Sequence, residues 1–394
     1  MQSRLEQLEK NSGIEWQEYR LDEIFDNIVQ GRRLKKQDQI PGNLPFVMSG
    51  TTDAGISGYV GNDVRVFPKN SLTVDIFGNV FYRNYEYGMG DDTGAYWDTE
   101  NNISKSSLIY IATAMRKSLN GQFDFGSKLR SSRSLELKIQ LPTVNQDGRK
   151  TIAFDYIEHA IKLLEEERIV TLEEERDLTI SAYLSTTRLD KYILTEEEQA
   201  ALNRLETINW GRFKIEDILD WQMGIKELNP LDLDLLSVSK EEKYPFYGQA
   251  TINNGIIEYR HLKDEVLNNK LGKPTILIHS NNQNIVYLET PFYLKDGHGA
   301  TSVLQSKCLD KMTAQFLMGS IEKVISQKYE YNAKATKIEL KNSEIELPIK
   351  PDCTPDYEYM SIVITAIQKS VIKDIALSAE QKIMATKKVI NYGH

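Results

Sequence analysis

Residues 14–26 read IEWQEYRLDEIFD, and residues 208–220 read INWGRFKIEDILD. The two stretches share a tryptophan, an aromatic residue three positions later and the same amphipathic spacing, at a constant shift of 194. A repeat of this length indicates a duplicated domain, because the repeats of solenoid proteins are far shorter. The sequence therefore predicts one domain design used twice.

Two further matches continue and close each copy. Residues 44–46 (LPF) correspond to residues 244–246 (YPF), and each leads to a turn glycine and then an aromatic residue. Residues 123–128 (FDFGSK) correspond to residues 329–334 (YEYNAK) at a shift of 206, and a Leu-Pro pair follows in both copies.

The sequence between and after the copies has a helical character. From Asp155 the chain loses glycine and proline and carries an apolar stripe at helical period, and a similar stripe follows Pro355. At ~1.5 Å per residue, residues 155–185 would extend about 45 Å. Residues 1–10 align with 195–204, which lead into the second copy. The expected segments are an N-terminal helical stub (1–13), a first globular domain (14–150), a central helical spacer (151–206), a second globular domain (207–352) and a C-terminal helical spacer (353–394).

The two helical arms are predicted to pair antiparallel, because each stripe would otherwise leave apolar surface exposed along its length. The residues expected to meet in this pairing are Ile157, Ile161, Leu164 and Leu172 of the first arm and Met360, Ile364, Ile367 and Val371 of the second.

Charge is unevenly distributed along the chain. The 394 residues carry a net charge of −9, but residues 155–206 alone hold 14 acidic and 6 basic residues, a net charge of −8. The globular copies are therefore nearly neutral and can carry a basic face. The polar residues 2–20 contain no signal peptide, and no apolar run approaches the ~20 residues needed to span a bilayer. With Cys308 and Cys353 in no metal-binding spacing, we expect a cytoplasmic protein with inert thiols.

Catalytic and cofactor motifs are missing from the sequence. The chain has no Pro-Pro pair, so it lacks the proline-bearing loop of an amino-methyltransferase. A lone Gly-Met-Gly at residues 88–90 leads into a turn where a cofactor-binding helix should begin. The five histidines show no ligand spacing, and no nuclease-like pair of carboxylates stands out. We therefore expect no enzyme activity, no cofactor and no metal. Two large domains that carry no catalytic or cofactor motif suggest that the protein recognises another molecule.

Basic clusters recur at equivalent places in the two copies. Each cluster by itself is typical of a solvated face, but the recurrence makes phosphate contact an equal alternative. His298, between two glycines, is either a base contact or part of a plain turn. The candidate DNA-binding residues are Arg32, Arg33, Lys35, Lys36, Lys128, Arg130 and Arg133 in the first copy and Lys226, Asn281, Asn282, Lys334 and Lys337 in the second.

The chain resembles the DNA-specificity (S) subunits of type I restriction-modification enzymes and of related type IIB systems. The resemblance rests on the openings at Trp16 and Trp210, the turns at residues 31–33 and 224–226, the 125–128 and 331–334 segments, and the Leu-Pro entries to the arms. It implies an α/β (α+β) fold with two target-recognition domains in a pseudo-twofold arrangement, held apart by long antiparallel helices that form a coiled coil.

The resemblance also implies a function and partners. Each domain would read one half of a split site in double-stranded DNA, and the arms would dock two DNA methyltransferase (M) subunits, with a restriction (motor) subunit as a further partner. The arm residues Ile157, Ile161, Leu164, Met360, Ile364 and Ile367 are the candidate partner contacts. Because Lys128 and Lys334 keep their place at a shift of 206, we also expect them to be equivalent phosphate contacts; the alternative is that each caps a strand or pairs with a local carboxylate.

Two alternatives stay open at this point. A coiled-coil scaffold without DNA binding predicts globular copies that have no basic face. An enzyme of an unrecognised kind, such as a nuclease, predicts a pocket with converging carboxylates in one copy.

Overall fold

The computed structural model describes residues 2–100, 102–146, 148–239, 241–280, 283–328 and 336–391. The chain divides into two compact units. Unit 1 comprises Met1–Asp177 and Ala379–His394, and unit 2 comprises Leu178–Ser378. Each unit contains one copy of the repeat.

The strands of unit 1 are β1 (Glu15–Arg20), β2 (Asn27–Gln30), β3 (Pro41–Val47), β4 (Ile56–Val60), β5 (Ser71–Asp75), β6 (Val80–Arg83), β7 (Gly88–Met89), β8 (Thr93–Trp97), β9 (Lys138–Gln146) and β10 (Arg149–Ile152). Its helices are α1 (Gln2–Asn11), α2 (Leu21–Ile24), α3 (Lys105–Leu119), α4 (Ser131–Ser134) and most of α5 (Phe154–Thr187). The strand orders within its sheets are β1-β9-β10, β2-β8-β5-β6 and β4-β3-β7.

The strands of unit 2 are β11 (Trp210–Lys214), β12 (Asp220–Trp221), β13 (Glu227–Leu228), β14 (Tyr244–Tyr247), β15 (Ile256–Arg260), β16 (Thr275–His279), β17 (Ile285–Leu288), β18 (Tyr293–Lys295), β19 (Thr301–Gln305) and β20 (Glu344–Pro348). Its helices are α6 (Glu196–Asn203), α7 (Ile215–Ile218), α8 (Leu233–Leu236), α9 (Lys311–Lys328), α10 (Lys337–Asn342) and the first part of α11 (Tyr357–Asn391).

The predicted duplication is confirmed by the sheet topology. The order β12-β19-β16-β17 repeats β2-β8-β5-β6, and β14 lies between β15 and β18 as β3 lies between β4 and β7. The parallel pairs also keep their register, with Phe46 opposite Gly88 in one unit and Phe246 opposite Tyr293 in the other. The fold is mixed α/β, as predicted.

The repeated opening motif forms a strand followed by one helical turn. In unit 1 the strand β1 pairs antiparallel with β9, and α2 then turns Leu21 and Ile24 into the core beneath α3. In unit 2, Ile215 and Ile218 of α7 occupy the same place. The two tryptophans are not core residues, since Trp16 is 48% exposed and Trp210 is 44% exposed.

The long arms are helical, and a segment of each pairs antiparallel within unit 1. Glu173 of α5 accepts a hydrogen bond from Lys387 of α11 at 2.8 Å, and Arg176 donates to Glu380 at 2.7 Å. The order of these contacts runs in opposite directions along the two helices. Leu172 and Ile383 are buried in these segments.

The register of this pairing differs from the predicted one. Residues 380–387 lie against the part of α5 around Leu172, not residues 360–371. The reason is that other parts of the stripes close the globular cores. Ile157 packs on α1 in unit 1, and Met360 packs among the β-sheet and α9 residues of unit 2.

A buried ion pair fixes α6 onto α11 in unit 2. The Nζ of Lys369 lies 2.7 Å from Oε1 of Glu198, and both side chains are almost fully buried. Burial raises the pKa of Glu198, but the hydrogen bonds from Lys369 and from the Thr195 backbone outweigh that effect and hold its pKa below the ordinary value.

Candidate nucleic-acid interface

Two loops of unit 1 are tied together by the buried carboxylate of Asp75. It accepts hydrogen bonds from the main-chain N–H groups of Phe77 and Asn79 and from the Asn79 side chain, which fixes the turn between β5 and β6. It also accepts one from the main-chain N–H of Gly50, in the loop after β3, at 3.1 Å. One side chain therefore holds two loops at the same end of the sheets.

The third loop, between β7 and β8, is held by Asp92. Its Oδ2 accepts a hydrogen bond from Ser49 at 2.8 Å, and its carbonyl oxygen accepts one from the Ile76 N–H at 3.0 Å. We call the loops 48–55, 75–79 and 89–93 the recognition edge of unit 1.

Two of the predicted basic clusters meet at this edge. The main-chain N–H of Arg32 donates to the carbonyl of Met89, and the guanidinium of Arg130 donates to the carbonyl of Asp91 at 2.7 Å. Gly31 permits the first contact, because a Cβ at this position would lie 2.2 Å from the carbonyl oxygen of Gly90. Residues that are about 100 positions apart in sequence therefore flank one loop.

Most of the basic side chains at this edge are not neutralised. Arg32, Arg33, Lys35, Lys36, Lys128 and Arg133 are exposed. Among the described residues, none of these six has a carboxylate within 4.0 Å. Such unpaired cations can bind a polyanion without first breaking an ion pair.

Lys128 follows an exposed aromatic residue, Phe125. The ring of Phe125 is 84% exposed, with the Lys128 Nζ 5.9 Å from its centroid and the Phe77 ring 5.1 Å away. The main-chain N–H of Leu129 donates to the carbonyl of Ile76, which attaches this segment to the recognition edge. The predicted counterpart in the second copy, Lys334, lies outside the described residues, as do Asn281 and Asn282.

Unit 2 brings the equivalent loops together with different side chains. The side-chain amide of Asn284 donates to the carbonyl of Ala250 at 3.1 Å, and the Ser280 N–H donates to the carbonyl of Ala300. We call the loops 248–255, 280–284 and 296–300 the recognition edge of unit 2; residues 281 and 282 of this edge lie outside the described residues.

His298 lies at the tip of the 296–300 turn. Its backbone is left-handed, with a φ of 53°, and its side chain is 95% exposed. Glu227 holds the turn by accepting hydrogen bonds from the N–H groups of Gly297 and Gly299. The plain turn is thus present, and base contact by the exposed ring stays a prediction.

Basic residues flank this turn as they flank the corresponding loop of unit 1. Lys226 is exposed, and its backbone is fixed through both the N–H and the carbonyl by the side chain of Asn268. The Nζ of Lys337 lies 3.9 Å from the position of a Cβ on Gly299. Lys337 therefore approaches its turn as Arg130 approaches the turn at Asp91.

A left-handed turn that the sequence analysis missed occurs in both units. Asp53 and Ala54 have φ values of 46° and 50°, and Asn253 and Asn254 both have φ of 51°. Consecutive left-handed residues other than glycine are uncommon, because the Cβ crowds the backbone. The repeated Asn-Asn-Gly and Asp-Ala-Gly sequences were the available signal.

A buried arginine supports this turn in unit 1. Arg83 is 1% exposed and donates hydrogen bonds to the carbonyl of Ala54 at 2.7 Å, to Thr73 and to Tyr85. Arg83 closes strand β6, and both end residues of that strand, Val80 and Arg83, are buried.

Each unit also has a groove between its globular copy and its arm. The first groove, in unit 1, has a volume of about 520 Å³, and the second, in unit 2, about 760 Å³. Residues lining the first groove include Trp16, Glu18, Tyr110, Lys117, Lys138, Gln140, Ile161 and Leu164. Residues lining the second include Trp210, Arg212, Phe316, Lys323, Glu344, Glu346, Ile364 and Ile367.

Of the predicted partner contacts, four line a groove and two are buried. Ile161 and Leu164 line the first groove, and Ile364 and Ile367 line the second. Ile157 and Met360 are instead fully buried within their own units.

Among the described residues, no group of three or more His, Cys, Asp or Glu side chains is placed to hold a metal ion. In the same part of the chain, no helix is both long enough and apolar enough to cross a membrane.

Comparisons with known proteins match both copies of the repeat. The family model for the Type I restriction modification DNA specificity domain matches twice, over residues 13–174 and 207–382. A curated relative, the specificity subunit S.BcgI of a type II restriction enzyme from Heyndrickxia coagulans, is 22% identical over 372 residues. The match covers 92% of this chain and 97% of the relative.

Solved structures of S subunits are also similar to the chain. The type I S subunit from M. genitalium is 14% identical with a TM-score of 0.42, and the match covers 96% of this chain and 95% of that one. The HsdS subunit from Thermoanaerobacter tengcongensis is 12% identical with a TM-score of 0.42, covering 95% and 91%. The two family matches together span most of the chain, one over each copy of the repeat. The chain therefore belongs to the family of type I restriction-modification DNA specificity proteins and is a sequence-specific DNA-recognition subunit.

Proposed function

We propose that the recognition edge of each unit reads one half of a split site in double-stranded DNA. The observation that carries this proposal is the recurrence of the edge: the same three loops, flanked by basic side chains, are assembled in both units. Two similar reading surfaces in one chain fit two half-sites separated by base pairs that are not read.

The side chains divide into two roles under this proposal. Arg32, Arg33, Lys35, Lys36, Lys128 and Arg133 in unit 1 and Lys226, Lys334 and Lys337 in unit 2 contact phosphates. Arg130, whose guanidinium is partly engaged by Asp91, positions the edge and contributes positive charge. Base reading falls to the loop residues that differ between the copies, including Asn281, Asn282 and His298.

The partners form a second part of the proposal. The chain directs two DNA methyltransferase subunits to its site, one at each groove, and a restriction subunit joins the assembly. Exposed aromatic and aliphatic residues in each groove support this assignment, because they resemble the apolar centres of protein interfaces. We propose target-recognition domains at residues 14–150 and 207–352, an N-terminal helical stub at 1–13, helical spacers at 151–206 and 353–394, and a cytoplasmic location.

The test is selection of bound duplexes from a random DNA library by the chain in complex with its methyltransferase. We expect two short specified segments separated by a fixed number of unspecified base pairs. The double variant Arg32→Ala/Arg33→Ala should weaken binding at all sequences without relaxing either segment. A single contiguous specified segment, or no enrichment at all, would contradict the proposal.

The scaffold alternative is not favoured. It predicted globular copies without a basic face, whereas unpaired cations flank the recognition edge of unit 1, and both copies match a DNA-specificity domain.

A further inference from the structure

The two grooves are equivalent positions of the duplicated fold. Trp16 corresponds to Trp210 at the repeat shift of 194, and Tyr110 corresponds to Phe316 at the shift of 206. The arm residues Leu164 and Ile367 each lie ten residues after the start of their helix, α5 or α11, and they are 36% and 42% exposed. The apolar floor of the groove is therefore preserved in both copies.

The charged rim is not preserved. Glu18 in the first groove corresponds to Arg212 in the second, and Lys138 corresponds to Glu344. Gln140 corresponds to Glu346, so the second groove gains a further carboxylate.

Each rim contains its own ion pair. Lys138 lies 3.4 Å from Glu18 across strands β1 and β9, and Arg212 lies 3.4 Å from Glu346 across β11 and β20. All four side chains are more than half exposed. A docked protein would therefore meet these charges directly, and salt would screen them.

We propose that the grooves take two copies of the same partner with unequal affinity, because one partner surface meets reversed charges on a similar apolar floor. This inference rests on the proposed docking of methyltransferase subunits. The apolar floor explains why both grooves accept the same surface. The rim determines which groove fills first.

The size of the difference follows from the energetics of exposed ion pairs. Exposed ion pairs contribute weakly, so we expect the three altered positions to give dissociation constants that differ roughly 5- to 30-fold at low salt. The difference should nearly vanish at ~1 M salt, where the Debye length is about 3 Å.

The experiment is a titration of the full-length chain with its methyltransferase, followed by native mass spectrometry at low and high salt. We expect two separate binding steps at low salt that merge at high salt. Trp16→Ala and Trp210→Ala each remove one apolar contact from one groove. The binding step that each variant weakens is therefore the step that fills that groove.

The rim itself is tested by a triple exchange. Glu18→Arg/Lys138→Glu/Gln140→Glu gives the first groove the charges of the second, and the two dissociation constants should then agree within about two-fold. The reciprocal exchange, Arg212→Glu/Glu344→Lys/Glu346→Gln, is the matched control and should also make the two dissociation constants equal. It tests the rim even if the first variant does not fold.

The outcomes separate the two proposals. If neither tryptophan variant changes either step, the partner docks elsewhere, and both the docking proposal and this inference are wrong. If each tryptophan variant removes one step but the wild-type constants are equal at low salt, docking stands and the inference fails. Self-association of the chain that is abolished by Trp210→Ala would assign the groove to a second copy and overturn the inference.

Discussion

The same structural position carries different chemistry in the two recognition edges. Asp75 lies opposite Thr93 in unit 1, and His279 lies opposite Thr301 in unit 2. Asp75 binds two loops through its carboxylate, whereas His279 is fully buried and is bonded through Nδ1 to Thr301 at 2.9 Å. Its Nε2 has no hydrogen-bond partner among the described residues. The edge of unit 2 is therefore held without a charged group at this position.

The burial of His279 predicts a pH-dependent stability. Burial lowers the pKa of this imidazole to about 4, whereas the unfolded chain has the ordinary value of about 6.5. The unfolded state therefore takes up the proton first. Stability is complete above about pH 6.5, falls as the pH drops, and is about 2 kcal/mol lower near pH 5.

Chemical denaturation of the wild type and of His279→Asn between about pH 5 and 7.5 checks this expectation. The variant should lose most of the pH dependence. His159→Asn, at an exposed histidine of α5, should keep it. Parallel curves for the wild type and His279→Asn would refute the prediction.

The unpaired cations of unit 1 predict a second result. Arg32→Ala and Lys128→Ala should each reduce the slope of log affinity against log salt concentration by about one. The reason is that binding of either variant releases one fewer counterion from the DNA. Specificity at individual base pairs should not change. The measurement is the affinity of the partner-bound complex over a salt series, with Arg149→Ala on strand β10 as an exposed control. An unchanged slope for Lys128→Ala would leave phosphate contact to Arg32, Arg33 and Lys226.

Among the elements, α6 and α11 show how a helix is fixed in register by charge. Glu198 also caps α6, since its carboxylate accepts the main-chain N–H of Thr195 at 2.7 Å. The surrounding contacts of Ala201, Tyr359 and Val363 are apolar. Apolar contacts permit sliding by one turn, whereas the buried pair permits one register.

Removing one member of this pair should be costly. Lys369→Met leaves a buried carboxylate without its cation, and we expect a loss of about 3 kcal/mol in the free energy of unfolding. The double variant Glu198→Gln/Lys369→Met retains a capping side chain and should recover most of the loss. Urea denaturation of the three proteins measures both effects. A double variant that is less stable than Lys369→Met would contradict this account.

The sequence was sufficient to predict the elements whose signals are local. The repeated tryptophan motif, the helical stripes and the turn at Gly31 required only neighbouring residues. The buried position of Arg83 depended on the carbonyl of Ala54, which is distant in sequence. The arm register was also inaccessible, because a long apolar stripe matches a partner stripe in several registers.

At the scale of the whole molecule, duplication separates two tasks. The acidity lies between residues 155 and 206, so the globular copies are nearly neutral and each can present its own basic edge. The described hydrogen bonds that assemble each edge join loops of one unit. The two reading surfaces can therefore change independently.

This independence predicts the result of a domain exchange. Replacing residues 14–150 with the corresponding domain of another specificity subunit should change one half of the DNA target and leave the other half and the separation unchanged. Mapping of methylated sites in DNA from cells that carry the exchanged chain and its methyltransferase measures this outcome. Replacing residues 207–352 is the matched exchange and should alter only the other half. A change in both halves from either exchange would show that the units do not read separately.

The reversed strand charges also bear on how a duplicated chain avoids folding incorrectly. Strands β1 and β11 have compatible apolar patterns, since Trp16 and Trp210 each lie opposite a proline, so either could add to the other's partner strand. In the native pairing, Arg212 and Lys214 both face glutamates, and the one like-charge pair is Arg20 opposite Lys138. After an exchange, Arg20 would face Glu344, but two like-charge pairs would form, Glu18 with Glu346 and Lys214 with Lys138. Like charges directly opposite each other destabilise a strand pair, so the newly synthesised chain is biased against joining the wrong halves.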